Sequence, residues 1–239
     1  TQSFPILYYR KDIFDELNIP LKALETWDGV LQWVLPELQK KYLQFGLSSD
    51  FSSYSMFLFQ NGGSIYNEDG TKTELNSVNA VKAFEQFSII YTDYKQPLAF
   101  DFSNRFRTGE MPLAVADFMM LNQLSIFAPE IKGLWGVLPV PGTADSEGKI
   151  NHSAASTVTG SVILATSEKK NEAWTFLKWW TEAETQSYYG SELESVMGTS
   201  ARYPSANLEV INSTPWSKDV RENLKLQREY TMPIPEVPG

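Results

Sequence analysis

The amino-acid sequence predicts an α/β fold. Three features lead there: an apolar, aromatic run of strand character from Phe4 to Tyr9, helix-periodic stretches that follow such runs, and repeated alternation of the two along the 239 residues. Aromatic and branched side chains suit the pleated surface of a strand. Polarity switches at Arg10-Lys11-Asp12, and Ile13, Phe14 and Leu17 then recur at helical spacing, so a short helix follows the strand directly. Pro20 ends anything helical before it. Thr26 stands where an N-cap belongs, its hydroxyl placed to accept a free backbone N–H of a longer helix beginning at Trp27 and Asp28. A chain that opens this close to a strand reads as a piece of something larger.

Residues 27 to 44 predict that longer helix, with Val30, Leu31, Val34 and Leu38 on one face and Pro36 as a kink or a new start. Phe45-Gly46-Leu47 reads as a short strand, and Tyr54 to Gln60 as a helix stopped by Asn61-Gly62-Gly63, where one residue must turn left-handed. A hairpin is expected over residues 64–75, around Asn67-Glu68-Asp69-Gly70. Asn76 or Ser77 caps a long helix to Tyr94, and Phe106 to Gly109 closes a helical turn. Strands follow at 112–116, 134–140 and 157–165, with a polar loop over 143–151. Ser167 is expected to cap a helix through Trp180, a short helix to span Glu184–Tyr189, and Thr214-Pro215 to open the last one, before an extended PIPEVPG tail.

Composition narrows the function. Hydrophobic residues make up 42% of the chain, ample for a packed core, and the net charge of −9 with no basic run argues against nucleic acid and anionic membrane surfaces as partners. With no cysteine there is no thiol nucleophile, no disulfide and no Cys-based zinc site. The single histidine, His152, stands in a polar loop and reads as a surface residue, so neither a His-based triad nor a zinc site is expected. Phosphate-cradling glycine motifs and a GxSxG elbow are absent. Carboxylate pairs such as Asp12/Glu16 or Glu182/Glu184 have glycosidase-like composition, but their helical spacing fits a solvated face.

Polar and aromatic groups gather at two loops. Ser48 to Tyr54, containing Asp50, Phe51 and Tyr54, lies between a strand and a helix, and Asp117-Phe118-Met119 lies just past another strand. Open α/β sheets bind ligands beyond the carboxyl ends of their strands. Hydroxyls of a sugar take hydrogen bonds while its C–H face stacks on an aromatic ring, so these groups suit a carbohydrate. Phe51, Tyr54 and Phe118 serve equally well as core plugs.

Several segments together resemble the extracellular solute-binding proteins of ABC importers, in the group that includes maltose-binding protein. They are Tyr9-Arg10-Lys11-Asp12-Ile13-Phe14, Pro20 with Thr26-Trp27-Asp28, Gly62 to Asn67, Phe106 with Gly109 to Ala114, Pro139 to Gly142, and Ala165 to Trp180 with Glu184. None is specific alone; their shared order across nearly the whole chain is. Two departures stand out: Gly29 replaces the family's usual capping-box glutamate, and the roughly one hundred residues that build an N-terminal lobe are missing, as are last helices expected after Pro235.

The resemblance implies a type II periplasmic-binding-protein-like fold. Residues 1–153 would be the main part of the second lobe, 154–203 a hinge strand and helices returning to the first, and 204–239 a truncated return. It implies no catalysis and no cofactor. A solute, foremost an oligosaccharide, would bind between the lobes and pass to membrane permease subunits. The cleft-facing positions would be Asp50, Phe51, Tyr54, Asp117, Phe118, Met119, and Ser156, Thr157 and Thr159 on the hinge strand. The family's stacking tryptophan has only Phe118 and Met119 as counterparts here. Without its first lobe, the helix bearing Trp174, Phe176, Trp179 and Trp180 would expose an apolar face. An extracellular, lipid-anchored or periplasmic setting is implied. Competing readings are a carboxylate-pair glycosidase, a receptor for a non-sugar solute, and a ferric-iron receptor using Tyr8-Tyr9 or Tyr188-Tyr189.

Overall fold

A computed structural model describes residues 1–235. Strand β1 (Gln2–Ser3) leads through Phe4 into β2 (Pro5–Arg10), the centre of the fold. In β2 successive side chains point to opposite faces, and both faces are apolar: Leu7 and Tyr9 enter one core cluster, Ile6 and Tyr8 the other. A strand buried on both sides needs a continuous apolar run, which ILYY supplies. Helix α1 (Lys11–Glu16) follows at once.

At the entry to α1, Arg10 is buried and its guanidinium grips Asp12 through two bonds of 2.9 and 2.6 Å, while Nη1 donates to the Phe106 carbonyl at 2.9 Å. The Arg10 hydrogen bonds hold the Asp12 carboxyl below the usual carboxylate range. A depressed carboxyl stabilises the fold above its unfolded pKa, near 4, and that contribution is lost as pH falls through the folded value. Asp12→Asn should therefore flatten part of the acid limb of an unfolding-stability profile below about pH 4. The gap should stay below about 1 kcal/mol because Asp12 is a third exposed. An identical acid limb in the variant removes the assignment.

After a 3₁₀ turn (Leu21–Leu24), one continuous rod runs from α2 (Trp27–Gly29) through a π-helical turn (Val30–Val34) into α3 (Leu35–Lys40). Thr26 caps it by accepting from the Gly29 N–H at 3.1 Å. Pro36 falls in the first turn of α3, as a new start requires, while the backbone stays helical across the junction at Val34 and Leu35. A proline ring presses on the carbonyl four residues back, and the widened turn just upstream makes room for it. Strand β3 (Phe45–Gly46) and helix α4 (Phe51–Gln60) follow, the latter stopped by Gly62 at φ +70°. The expected hairpin over 64–75 is present in short form: an antiparallel Tyr66–Thr73 bridge flanked by backbone bonds from the Asn67 N–H to the Lys72 carbonyl at 3.0 Å and from the Glu74 N–H to the Ile65 carbonyl at 2.9 Å. Its turn is closed where Asn67 Oδ1 accepts from the Lys72 N–H and Asp69 Oδ1 from the Thr71 N–H, each at 3.0 Å.

Helix α5 (Val78–Thr92), capped by Ser77, and α6 (Phe102–Thr108) lead to β4 (Leu113–Asp117), then α7 (Met120–Phe127) and β5 (Trp135–Leu138). The main sheet has the order β3-β4-β2-β5, with β3 and β4 parallel and β2 antiparallel to both its neighbours. Residues 143–151 form a small hairpin of β6 (Thr143–Ala144) and β7 (Ile150–Asn151) rather than an unstructured loop, since Asp145 Oδ1 accepts from two backbone N–H groups at 2.9 Å and closes the turn. His152 is half-buried rather than fully exposed. Its Nδ1 lies 2.7 Å from the Val140 carbonyl and its ring packs edge-on against Tyr230.

Strand β8 (Ala154–Val158) pairs antiparallel with β1 and parallel with β9 (Thr231–Pro233), so three separate passes of the chain lie side by side. The strand expected over 157–165 sits earlier, because β1 offers partners only to Thr157 and Val158. Beyond it come α8 (Lys170–Thr181), α9 (Ala183–Met197), α10 (Leu208–Ser213) and α11 (Lys218–Arg228). Ser167 does not cap α8; its hydroxyl closes a bend by accepting from the Lys169 N–H. Helix α9 runs past Gly190, where Tyr203 packs alongside, and so is longer than the expected 184–189. Thr214-Pro215 opens no helix. That bend carries Trp216 onto Phe118, and Ser217 caps α11, while α10 was not anticipated. No side chain of α8 is buried: Trp174, Phe176 and Trp179 are 57%, 56% and 50% exposed. Of the PIPEVPG tail, residues 236–239 lie outside the described residues.

Candidate functional site

The sheet's topology brings the expected site groups to one edge. Parallel β3 and β4 end on the same side, and Pro5 lies opposite Asp117, which puts the start of β2 there too. Ser3, just before it, pairs with Thr157 of β8. The loop after β3 (48–50), the loop after β4 (117–119) and the β8 strand therefore open onto one border. Loops beyond strand ends hold ligands because backbone and side chains are freed there from ladder pairing.

Asp50 caps α4, its Oδ1 accepting from the Ser53 N–H at 2.8 Å. That bond aims the first turn outward and leaves Phe51 46% exposed, 5.9 Å from the Tyr54 ring. Tyr54 is half-buried and its hydroxyl donates to the Ala80 carbonyl at 3.2 Å; burial raises its pKa. Asp117 is exposed. One of its oxygens accepts from the Met119 N–H at 2.8 Å, shaping the turn into α7, and the other accepts from the Ser3 hydroxyl.

Phe118 is buried between Phe4, at 4.8 Å, and the edge of Trp216, at 6.2 Å, so it serves as a core plug beneath the site. Met119 is half-buried. Ser156 is half-buried on β8, Thr157 and Thr159 are exposed, and Thr159 lines a cavity of about 460 Å³ with Thr1, Trp174, Trp180 and Tyr203. The structure thus joins the β4 loop to β8 through Ser3, while Asp50–Tyr54 stands apart along the same border.

Ser3, Tyr8 and Trp216 contribute without a sequence signal. The Tyr8 hydroxyl, fully buried, donates to the carbonyls of Asp117 and Phe118 at 2.9 and 3.1 Å and so fixes the β4 loop from below. Burial, reinforced by Asp117, raises the Tyr8 pKa well above its ordinary value, which disfavours the phenolate that ferric iron needs. Of the other tyrosine pair, Tyr189 packs edge-on against Tyr203 and Trp180. Asp12, in one of the carboxylate pairs, is taken up by Arg10. Among the described residues no group of three or more His, Asp or Glu side chains is placed to hold a metal ion, and no helix is long and apolar enough to cross a membrane.

The mixed α/β body has a periplasmic-binding-protein-like fold, which its superposition on solved structures shows. The chain belongs to the bacterial extracellular solute-binding proteins, a family that matches residues 1–221. Solved structures share the fold. An ABC substrate-binding protein from Listeria monocytogenes, in complex with cycloalternan, superposes with a TM-score of 0.72 at 21% identity over 99% of this chain and 60% of its own. The sugar-binding protein MalE from Xanthomonas citri gives 0.74 at 18% over 99% and 59%. Maltose-bound T. maritima MalE3 gives 0.66 at 22% over 99% and 61%. The chain thus spans about 60% of the length of these structures. No curated protein sequence matches it. The family and these neighbours are binding proteins rather than enzymes, and the family's setting is extracellular or periplasmic.

Proposed function

We propose that this chain is the larger part of the ligand-binding component of an ABC importer, capturing an oligosaccharide in a cleft between two lobes and delivering it to a membrane permease. The observation that carries the reading is the convergence of the β3 loop, the β4 loop and β8 on one sheet border, with neutral hydroxyls, two carboxylates and an exposed ring there. Such groups hold a sugar by hydrogen bonds to its rim and stacking on its face, with no bond broken. Asp50, Phe51, Tyr54, Asp117, Met119, Thr157 and Thr159 offer that surface; Phe118 supports it from behind, and Ser156 sits within the ladder. In this reading residues 1–153 are the main part of the second lobe, 154–203 a hinge strand and helices that return to the first, and the chain from 204 a truncated return toward the second. The uncovered apolar face of α8 supports a first lobe, on the same parent chain, as its partner.

Titration of intrinsic tryptophan fluorescence with oligosaccharides tests this. A saturable change with one sugar class is expected, and Phe51→Ala should weaken it at least tenfold without moving the melting curve, since that ring is half exposed. A response to no sugar in either this chain or the two-lobed parent would remove the carbohydrate.

A further inference from the structure

Helix α5 has apolar residues on more than its core face. Ala80, Ala83, Phe87 and Ile90 are buried, as an amphipathic helix requires. Val78, Val81 and Phe84, three residues apart, form a second stripe that is 84%, 49% and 58% exposed. Facing the stripe from α4 are Phe51 and Tyr54. Between them runs an open groove of about 520 Å³. Its rings follow one another, Phe51 to Tyr54 at 5.9 Å and Tyr54 to Phe84 at 6.0 Å, and the Tyr54 hydroxyl bond to Ala80 ties the two helices together at the middle ring. Its inner end is Ser49-Asp50, the loop on the sheet border. One Asp50 oxygen caps α4, and among the described residues the other takes no protein donor.

We propose that this groove is the outer half of the solute site, seating the end of a linear oligosaccharide too long for the cleft. The proposal rests on the sugar-binding reading above. Two features favour a sugar chain as the occupant. The groove is continuous with the border where the site loops gather, so a ligand leaving Asp50 meets Phe51, Tyr54 and Phe84 in turn. Its chemistry is also two-sided: ring faces for the C–H surface of a pyranose, and an unengaged carboxylate oxygen with a serine for its hydroxyls, while the outer rim stays in water. A folded apolar partner would leave that carboxylate oxygen buried and unpaired, which is costly.

Amide chemical-shift titration of the chain with maltose through maltoheptaose, and with cellobiose through cellohexaose, decides it. In one series, disaccharides should perturb residues 49–54 only, and chains of four units or more should also perturb Leu75 and residues 78–84 and bind at least fivefold more tightly. Phe84→Ala, at an exposed position that folding does not need, should abolish that gain and leave disaccharide affinity unchanged. Equal affinity across both series with no shifts on α5, or an unaffected Phe84→Ala, overturns the proposal while the sugar-binding reading stands. No response of this chain to any sugar overturns the proposal, and the same silence in the two-lobed parent removes the sugar-binding reading as well. Concentration-dependent dimerisation in sedimentation, lost in Phe84→Ala, would give the groove to a second copy and overturn it.

Discussion

Replacing Trp27 by alanine should lower the free energy of unfolding by about 3–5 kcal/mol. The side chain is fully buried, with the Phe57 ring at 4.5 Å and the edge of Phe45 at 6.2 Å, so truncation removes an aromatic volume that three elements pack around. It also removes a polar contact. The indole N–H donates to Gln60 Oε1 at 2.9 Å, and buried Gln60 passes its own N–H groups to the carbonyls of Pro141 and Ser153 at 3.0 and 3.1 Å. One glutamine thus links the rod, α4 and the chain's approach to β8. Trp27→Phe separates the two effects: it keeps most of the volume and should cost only about 1–2 kcal/mol, because Thr143 still donates to Gln60 Oε1 at 3.0 Å. Urea denaturation followed by circular dichroism measures both. A loss below 1 kcal/mol for Trp27→Ala would mean that the core re-closes around the void.

The second large effect reverses what local sequence logic expects. Gly29→Glu would complete a capping box with Thr26, a change that favours an isolated helix start. In the folded chain it should destabilise by about 1–3 kcal/mol. A β-carbon at position 29 would collide with the Ala23 backbone carbonyl, because the 3₁₀ turn before the rod packs directly against its first turn. Backbone cannot swing aside as a flexible side chain can, so the turn or the rod must shift. Gly29→Ala should show most of the loss, since the clash begins at the first side-chain carbon. A stabilised Gly29→Glu, seen as a higher denaturation midpoint, would show that the turn yields freely.

That contrast marks where the sequence was readable. Contacts set by neighbours a few residues apart could be anticipated: the apolar run of β2, Thr26 as a cap, a cap at Asn76 or Ser77 that the structure gives to Ser77, and Gly62 as a stop. The α/β class and the family resemblance followed from such signals in order. What depended on partners far along the chain could not be read. Nothing near Phe118 announces Trp216, almost a hundred residues later, as the ring that seals it into the core. Nothing in Ser3 announces Asp117. The strand expected over 157–165 looked regular locally, yet a strand extends only as far as its partners do. Of the proposed site, Asp50–Tyr54 and Asp117–Met119 were suggested by residue type and position after strands. Which of those aromatics faces water was decided by packing: Phe51 outward, Phe118 inward.

The β1–β8–β9 ribbon limits how the two proposed lobes can move. A single extended crossing would act as a swivel, free to twist and bend in every direction. Three strands tied by ladder hydrogen bonds, as here, would resist shear in their own plane and torsion about their length, leaving flexure out of the plane as the soft mode. In the proposed two-lobed protein that would give one rotational coordinate, with its axis lying across the strands. Ser3, bonded both to the ladder and to Asp117, sits where that flexure would reach the β4 loop.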